Sequence, residues 1–271
     1  MKQLKAIRIL MAVLFFAACV ACLTVGPQVH PMAAAAGKLQ IVLSSAGATA
    51  GVALVWLGLT FLFGRLYCAS VCPVGVFSDI FLRLRRVIPK TSRPFRYRHR
   101  SGVSVHILWI YVVCVVIGVS TVPFLVEPWN IARNMAAAVN PQAVAGTWLT
   151  IGRSALFGAA VGVASALLLA ALALWRGREF CTTYCPVGTA LGYVQNHSLY
   201  HIEINPDKCT SCGKCEDICR SQCIKVVSRY VDQQRCVRCF DCVAECPDDA
   251  IRFQINRNRP AMPLMRKAKV K

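Results

Sequence analysis

The chain alternates between long apolar runs and short basic segments. Four runs are long enough to cross a bilayer, which takes about 20 helical residues: Ile9 to Val25, Leu39 to Phe63, Val103 to Val126 and Ser154 to Trp175. The second and fourth are rich in Gly, Ala and Ser, which lets helix backbones approach closely. Two buried helices of a soluble core would explain two such runs, but four in one short chain speak for a bundle in a membrane. Between the second and third runs, Phe77, Ile80, Phe81, Leu84, Val87 and Ile88 recur at helical spacing with Asp79, Arg83, Arg85 and Arg86 among them. That pattern predicts a short amphipathic helix, lying on the membrane surface or packed under a soluble domain. The first run, with small residues at 33–36 behind it, also has the look of a signal peptide. Its 17 residues exceed the usual core of about 7–15, so it reads as an uncleaved anchor.

Charge orients the bundle. Lys and Arg outnumber Asp and Glu by 31 to 12 in a chain that is 56% apolar and only 16% charged. Such a composition excludes a disordered chain and a small secreted disulfide module. The basic residues are unevenly placed. Three lie before the first run and nine in 64–103, against Lys38 alone in 26–38 and Arg133 and Arg153 alone in 127–153; sixteen follow residue 175. By the positive-inside rule both termini face the cytoplasm. The rule accounts for the charge without nucleic acid as a partner.

The ends of the second and fourth runs repeat each other. Gly64-Arg65-Leu-Tyr-Cys68-Ala-Ser-Val-Cys72-Pro73-Val-Gly75 matches Gly177-Arg178-Glu-Phe-Cys181-Thr-Thr-Tyr-Cys185-Pro186-Val-Gly188 at seven of twelve positions, 113 residues on. Two copies of a helix hairpin ending in a CxxxCP turn describe this half of the chain. Thiols four residues apart share a helix face, and the proline breaks the helix after them. Cys68, Cys72, Cys181 and Cys185 therefore stand as a third cluster or metal site, as redox-active thiols, or as structural cysteines. Arg65 and Arg178, three residues before a thiol, either help bind a cofactor there or reach out to lipid phosphates.

The strongest motif follows. Cys209-x-x-Cys212-x-x-Cys215-x-x-x-Cys219 is succeeded by Cys236-x-x-Cys239-x-x-Cys242-x-x-x-Cys246-Pro247, the bacterial two-cluster ferredoxin spacing. In that arrangement the fourth cysteine of each run crosses to the other cluster. Cys209, Cys212, Cys215 and Cys246 are expected to hold one [4Fe–4S] cluster, and Cys236, Cys239, Cys242 and Cys219 the other. Zinc competes poorly with eight cysteines in this order. Arg220 stands where the second half has Pro247, which either loosens the turn or places positive charge by a cluster. Cys223, matched by Ala250, reads as packing, as do Cys19, Cys22 and Cys114 inside apolar runs.

Taken together, these features resemble the NapH-type membrane ferredoxins, the quinol dehydrogenase components of periplasmic nitrate reductase systems. They are similar also to MauN, the membrane half of NosR and the CcoG-type oxidase accessory proteins. The resemblance implies oxidation of a quinol and relay of electrons through iron–sulfur clusters to a ferredoxin-type or cytochrome redox subunit of a respiratory chain. An accessory protein that reduces or loads a metal centre during enzyme assembly is the alternative. Quinol oxidation needs a proton acceptor. Glu127, the carboxylate bordering the spans on the outer side, is the candidate, unless it merely caps a helix or pairs with Arg133; His30 lies on the same side, and His106 would serve an inner face.

The expected architecture is a membrane all-α four-helix bundle over 1–200, built of two repeated hairpins each ending in CxxxCP. A small α+β two-[4Fe–4S] ferredoxin domain over 201–255 and a basic tail over 256–271 follow.

Overall fold

The computed structural model describes residues 2–24, 35, 37–41, 50–87, 94–99, 102–119, 125–140 and 155–255. His30 and the basic tail lie outside them. Helix α1 (Lys2–Thr24) and helix α7 (Ala155–Arg176) are long and apolar enough to cross a membrane. Helices α2 (Ala50–Phe63) and α5 (Val103–Ile117) are equally apolar but have 14 and 15 residues, short of a full span. The expected second run was to begin at Leu39. Residues 39–41 are instead non-helical, because the fully buried Gln40 turns inward and accepts a hydrogen bond from Tyr67 at 2.9 Å. The third run stops early too: Gly118, at φ +83°, caps α5.

Segment 127–153 was expected to be a loop, yet it carries helix α6 (Pro128–Ala137), started by a proline at its first position. Helix α6 packs chiefly against α7. Between α2 and α5 lie helix α3 (Leu66–Ser70) and the amphipathic helix α4 (Pro73–Val87). Helix α4 buries the polar Ser78, Asp79 and Arg85 beside Val74, Val76 and Leu82, and leaves the apolar Ile80, Leu84 and Val87 exposed. The larger helices also expose apolar side chains: Leu54 is 69% exposed, Val116 80% and Trp175 82%. An apolar surface this extensive calls for a non-aqueous neighbour.

A five-residue π-turn (Phe180–Tyr184) and helix α8 (Pro186–Gln195) follow α7. The two hairpin ends are built alike. Gly64 and Gly177, equivalent in the repeat, both adopt left-handed backbone at φ +85° and +68°, where a side chain is strained. A Cβ on Gly177 would also lie 2.4 Å from the Arg220 carbonyl oxygen. Gly177→Ala is therefore expected to destabilise the protein by more than about 1 kcal/mol. A lowered unfolding midpoint in detergent would show it, with Gly102→Ala, which meets nothing within 4 Å, as the neutral control.

The C-terminal unit closes on strands β1 (Tyr200–Ile204) and β4 (Ile251–Ile255), antiparallel with Tyr200 opposite Ile255. Inside them lie β2 (Ile224–Lys225), β3 (Tyr230–Val231) and two single-turn helices, α9 (Lys214–Asp217) and α10 (Asp241–Glu245). Its duplication shows in the backbone. Positive φ recurs at Ser211 and Arg238, Gly213 and Phe240, Gln222 and Asp249, each pair 27 residues apart like the two cysteine runs.

Candidate iron–sulfur sites and the arginine layer between them

The eight cysteines of the two spaced runs line two cavities. The first is lined by Cys209, Cys212, Cys215 and Cys246 together with Pro247 and Ile251. The second is lined by Cys219, Cys236, Cys239 and Cys242, closed by Ile202, Ile224 and Phe240. Each thus mixes three thiols of one run with one of the other. Among the described residues no three His, Cys, Asp or Glu side chains are placed to share a single metal ion. Thiols spread around an apolar cavity suit a larger group whose several iron atoms each take one thiolate. The cavities differ in exposure: around the first, Cys212 is exposed, Cys209 and Cys246 are half-buried and Cys215 is buried, whereas around the second only Cys239 is half-buried and Cys219, Cys236 and Cys242 are buried.

Cys223, read from the sequence as packing, lines the second cavity as a fifth thiol. Its Sγ is 3.4 Å from that of Cys219, and its backbone N–H donates to Cys219 Sγ, also at 3.4 Å. Hydrogen bonding with Cys223 lowers the Cys236 thiol. Cys19 is fully buried in a small apolar cluster with Trp129, and Cys22 and Cys114 are half-buried.

In the other half of the chain, α3, the π-turn and the start of α8 bring Cys68, Cys72, Cys181 and Cys185 together, all about 95% buried. Cys68, Cys72 and Cys185 sit in one apolar cluster with Tyr67, Ile131 and Leu169, and Cys181 lies in electrostatic range of Cys68, Cys72 and Cys185. Burial pushes the Cys181 thiol up to about 11, against the lowering pull of Arg178. A thiolate in such a place needs a cation bonded to it.

Arg65 and Arg178 do not reach lipid: they are 1% and 0% exposed. Their contacts are reciprocal across the repeat. Arg65 donates through Nη1 to the carbonyl of Gly188 at 2.5 Å and through Nη2 to that of Gln234 at 2.6 Å. Arg178 donates to the carbonyls of Gly75 at 3.0 Å and Cys68 at 2.7 Å. Gly75 and Gly188 are equivalent positions, so each copy's arginine clasps the other copy's turn.

Arg220 is explained by the same neighbourhood. Its Nη1 lies 2.9 Å from Asp79 on α4 and its Nε 2.6 Å from Asp241 on α10, and its carbonyl accepts the Arg178 N–H at 2.9 Å. The residue that departs from proline ties the two halves of the molecule together. Asp79 also pairs with Arg178 at 2.8 Å and Arg8 at 3.1 Å, and Asp241 with Lys5 at 3.2 Å. Burial alone would raise the Asp79 carboxyl, but Arg178 and Arg220 overcome it and hold Asp79 well below the usual carboxylate range. Lys5 and Arg8 thereby fasten the start of α1 to α10 and α4.

Arg65, Arg178, Arg220 and Arg238 are the four largest fully buried side chains described. They form a layer between the four-thiol site and the second cavity. Arg65 lies in electrostatic range of Cys68, Cys181 and Cys236, Arg220 of Cys239, and Arg238 of Cys236 and Cys242. Asp79 and Asp241 answer part of this charge. Among the described residues Arg65 and Arg238 have no carboxylate partner, Arg238 being held by the Tyr200 carbonyl at 2.8 Å and the Ser198 hydroxyl.

Glu127 caps α6 and is fully buried. It accepts hydrogen bonds from Tyr111 at 3.2 Å and Asn130 at 2.7 Å. Sequence reasoning missed Tyr111, hidden in the apolar run of α5, which lies in electrostatic range of both Glu127 and Cys185. His106 is exposed on α5, away from this group.

Family comparison agrees with this chemistry. A model described as a 4Fe-4S binding domain matches residues 46–91 and again 158–200, the two hairpin ends, and a second model of the same description matches 202–225. The chain is similar to MJ0750, an uncharacterized protein of Methanocaldococcus jannaschii, at 27% identity over 79% of this chain and 82% of that protein. The ferredoxin-type protein NapH of Haemophilus influenzae is 28% identical over 75% of this chain and 67% of its own length. The methylamine utilization ferredoxin-type protein MauN of Paracoccus denitrificans is 30% identical over 65% of this chain, which spans 55% of that protein. No solved structure matches the chain. The cysteine sets, the matched 4Fe-4S domains and these relatives together make the chain similar to the NapH- and MauN-type 4Fe-4S ferredoxin-type proteins.

Proposed function

We propose that the chain is a four-helix membrane protein of a bacterial inner membrane that oxidises a quinol and delivers its electrons, through three [4Fe–4S] clusters, to a redox partner on the cytoplasmic side. Residues 1–200 form the membrane unit, 201–255 the ferredoxin unit and 256–271 a basic tail. Cys209, Cys212, Cys215 and Cys246 hold one cluster, Cys219, Cys236, Cys239 and Cys242 the second, and Cys68, Cys72, Cys181 and Cys185 the third. Bound there, the clusters supply one-electron carriers at successive depths in the molecule.

The observation that carries this reading is the arginine layer. Four buried guanidinium groups faced by two carboxylates leave positive charge in a low-dielectric interior, which is costly unless nearby anions answer it. Four neutral thiols would not; a thiolate-ligated cluster on each side does. The 4Fe-4S model match to both hairpin ends supports the same assignment. Burial of all four CxxxCP thiols argues against their exchanging electrons or metal directly with another protein.

The residues then divide the work. Arg65 and Arg178 hold the two turns together and balance the charge of their thiolates. Arg220 and Asp79 keep the ferredoxin unit pressed against the membrane unit. The exposed first cavity faces the partner. Glu127, poised by Tyr111 and Asn130, takes a proton from the quinol. The basic loops, and the contacts of Lys5 and Arg8 at the ferredoxin end, support both termini being cytoplasmic.

The test is anaerobic EPR of the detergent-solubilised protein mixed with menadiol. Reduced [4Fe–4S] signals are expected, and Glu127→Gln should slow their appearance at least about tenfold, as loss of a general base does. Reduction by dithionite but not by menadiol would overturn the quinol role.

A further inference from the structure

The buried side chain of Asn134 on α6 is an anomaly. It is 1% exposed, yet among the described residues neither its Oδ1 nor its Nδ2 has a hydrogen-bond partner. A buried amide with all its hydrogen-bonding capacity unspent costs stability, and native proteins rarely keep one without a use for it. Its position indicates the use. Glu127, Ile131 and Asn134 are spaced i, i+4, i+7 and fall on one stripe of α6. Ile131 belongs to the apolar cluster that holds Cys68, Cys72 and Cys185, so the stripe faces the four-thiol site. Tyr111, bonded to Glu127, lies in range of Cys185. At about 1.5 Å rise per residue, Glu127 and Asn134 stand roughly 10 Å apart along the helix. That is close to the span of one aromatic ring with a hydrogen bond at each of two opposite oxygens.

We propose that Asn134 and Glu127 are the two polar partners of a quinol headgroup lying along α6. Asn134 donates through Nδ2 to one ring oxygen, Glu127 accepts from the opposite hydroxyl, and Ile131 supports the ring between them. This deepens the quinol reading and rests on it. Pairing an acceptor with a donor selects a ring carrying oxygens at both ends over a phenol with one.

The test uses the full-length protein in detergent, titrated with menadione and followed by quenching of tryptophan fluorescence, beside a thermal melt. Asn134→Leu, close in shape but apolar, is expected to weaken menadione binding at least tenfold while leaving the melting temperature unchanged or raised, since it relieves an unpaired amide. Asn134→Ser, which is smaller and lacks the amide, provides the same reading should the leucine not pack. Wild-type affinity in both variants would overturn the role of Asn134 and leave the quinol reading standing. No saturable binding of menadione to the wild type would overturn both.

Discussion

Arg178→Met is expected to destabilise the protein by about 3–5 kcal/mol, the cost of removing one member of a buried ion-pair network. The guanidinium makes four polar contacts from a fully buried position: two to Asp79 and one each to the carbonyls of Cys68 and Gly75. Methionine keeps the volume and supplies none of them. Asp79 is then left with Arg8 and Arg220 alone. Adding Asp79→Asn to the variant should restore part of the loss, because it removes the under-compensated carboxylate. Denaturant unfolding in detergent measures both. A loss under about 1 kcal/mol for the single variant would mean that the clasp is incidental to the fold.

Cys181→Ser is expected to lower bound iron from about twelve to about eight atoms per chain, with an equal loss of acid-labile sulfide, in keeping with one [4Fe–4S] group per four thiolates. The EPR signals of the ferredoxin unit should persist. Cys68→Ser, in the other copy of the motif, should give the same loss rather than an additional one when the two are combined, because both would ligate one group. About eight iron atoms in wild type and variant alike would sink the third cluster and return the CxxxCP cysteines to the role of redox thiols.

Much of the chemistry could be read from the sequence because it is local. Cysteines two and three residues apart in a duplicated order mark out their groupings, and a twelve-residue repeat exposes the paired hairpin ends. The apolar runs located α1 and α7 closely. They misjudged α2 and α5, since hydropathy does not register a buried polar turn at Gln40 or a left-handed stop at Gly118. Helix α6 escaped because its mixed composition reads as loop until α7 packs against it. The arginine layer was out of reach for a different reason. Arg220 meets Asp79 across 141 residues of chain, and nothing near either residue advertises the other. Charge at Arg65 and Arg178 suggested lipid or cofactor with equal force until their burial decided between them.

The reciprocal clasp has a bearing on how such a molecule arises. Because each hairpin lends its arginine to the turn of the other, a half-length ancestor would complete the same four-thiol site by pairing with an identical copy about a two-fold axis. Asp79 has Gly192 as its counterpart in the second copy, and a side chain there would crowd the Gln234 carbonyl at 2.8 Å that receives Arg65. One half kept an acid for Arg220 to grip, and the other cleared a path for backbone. That broken equivalence gives the paired hairpin ends one way round in which to seat the C-terminal unit through Arg220, and so a fixed direction.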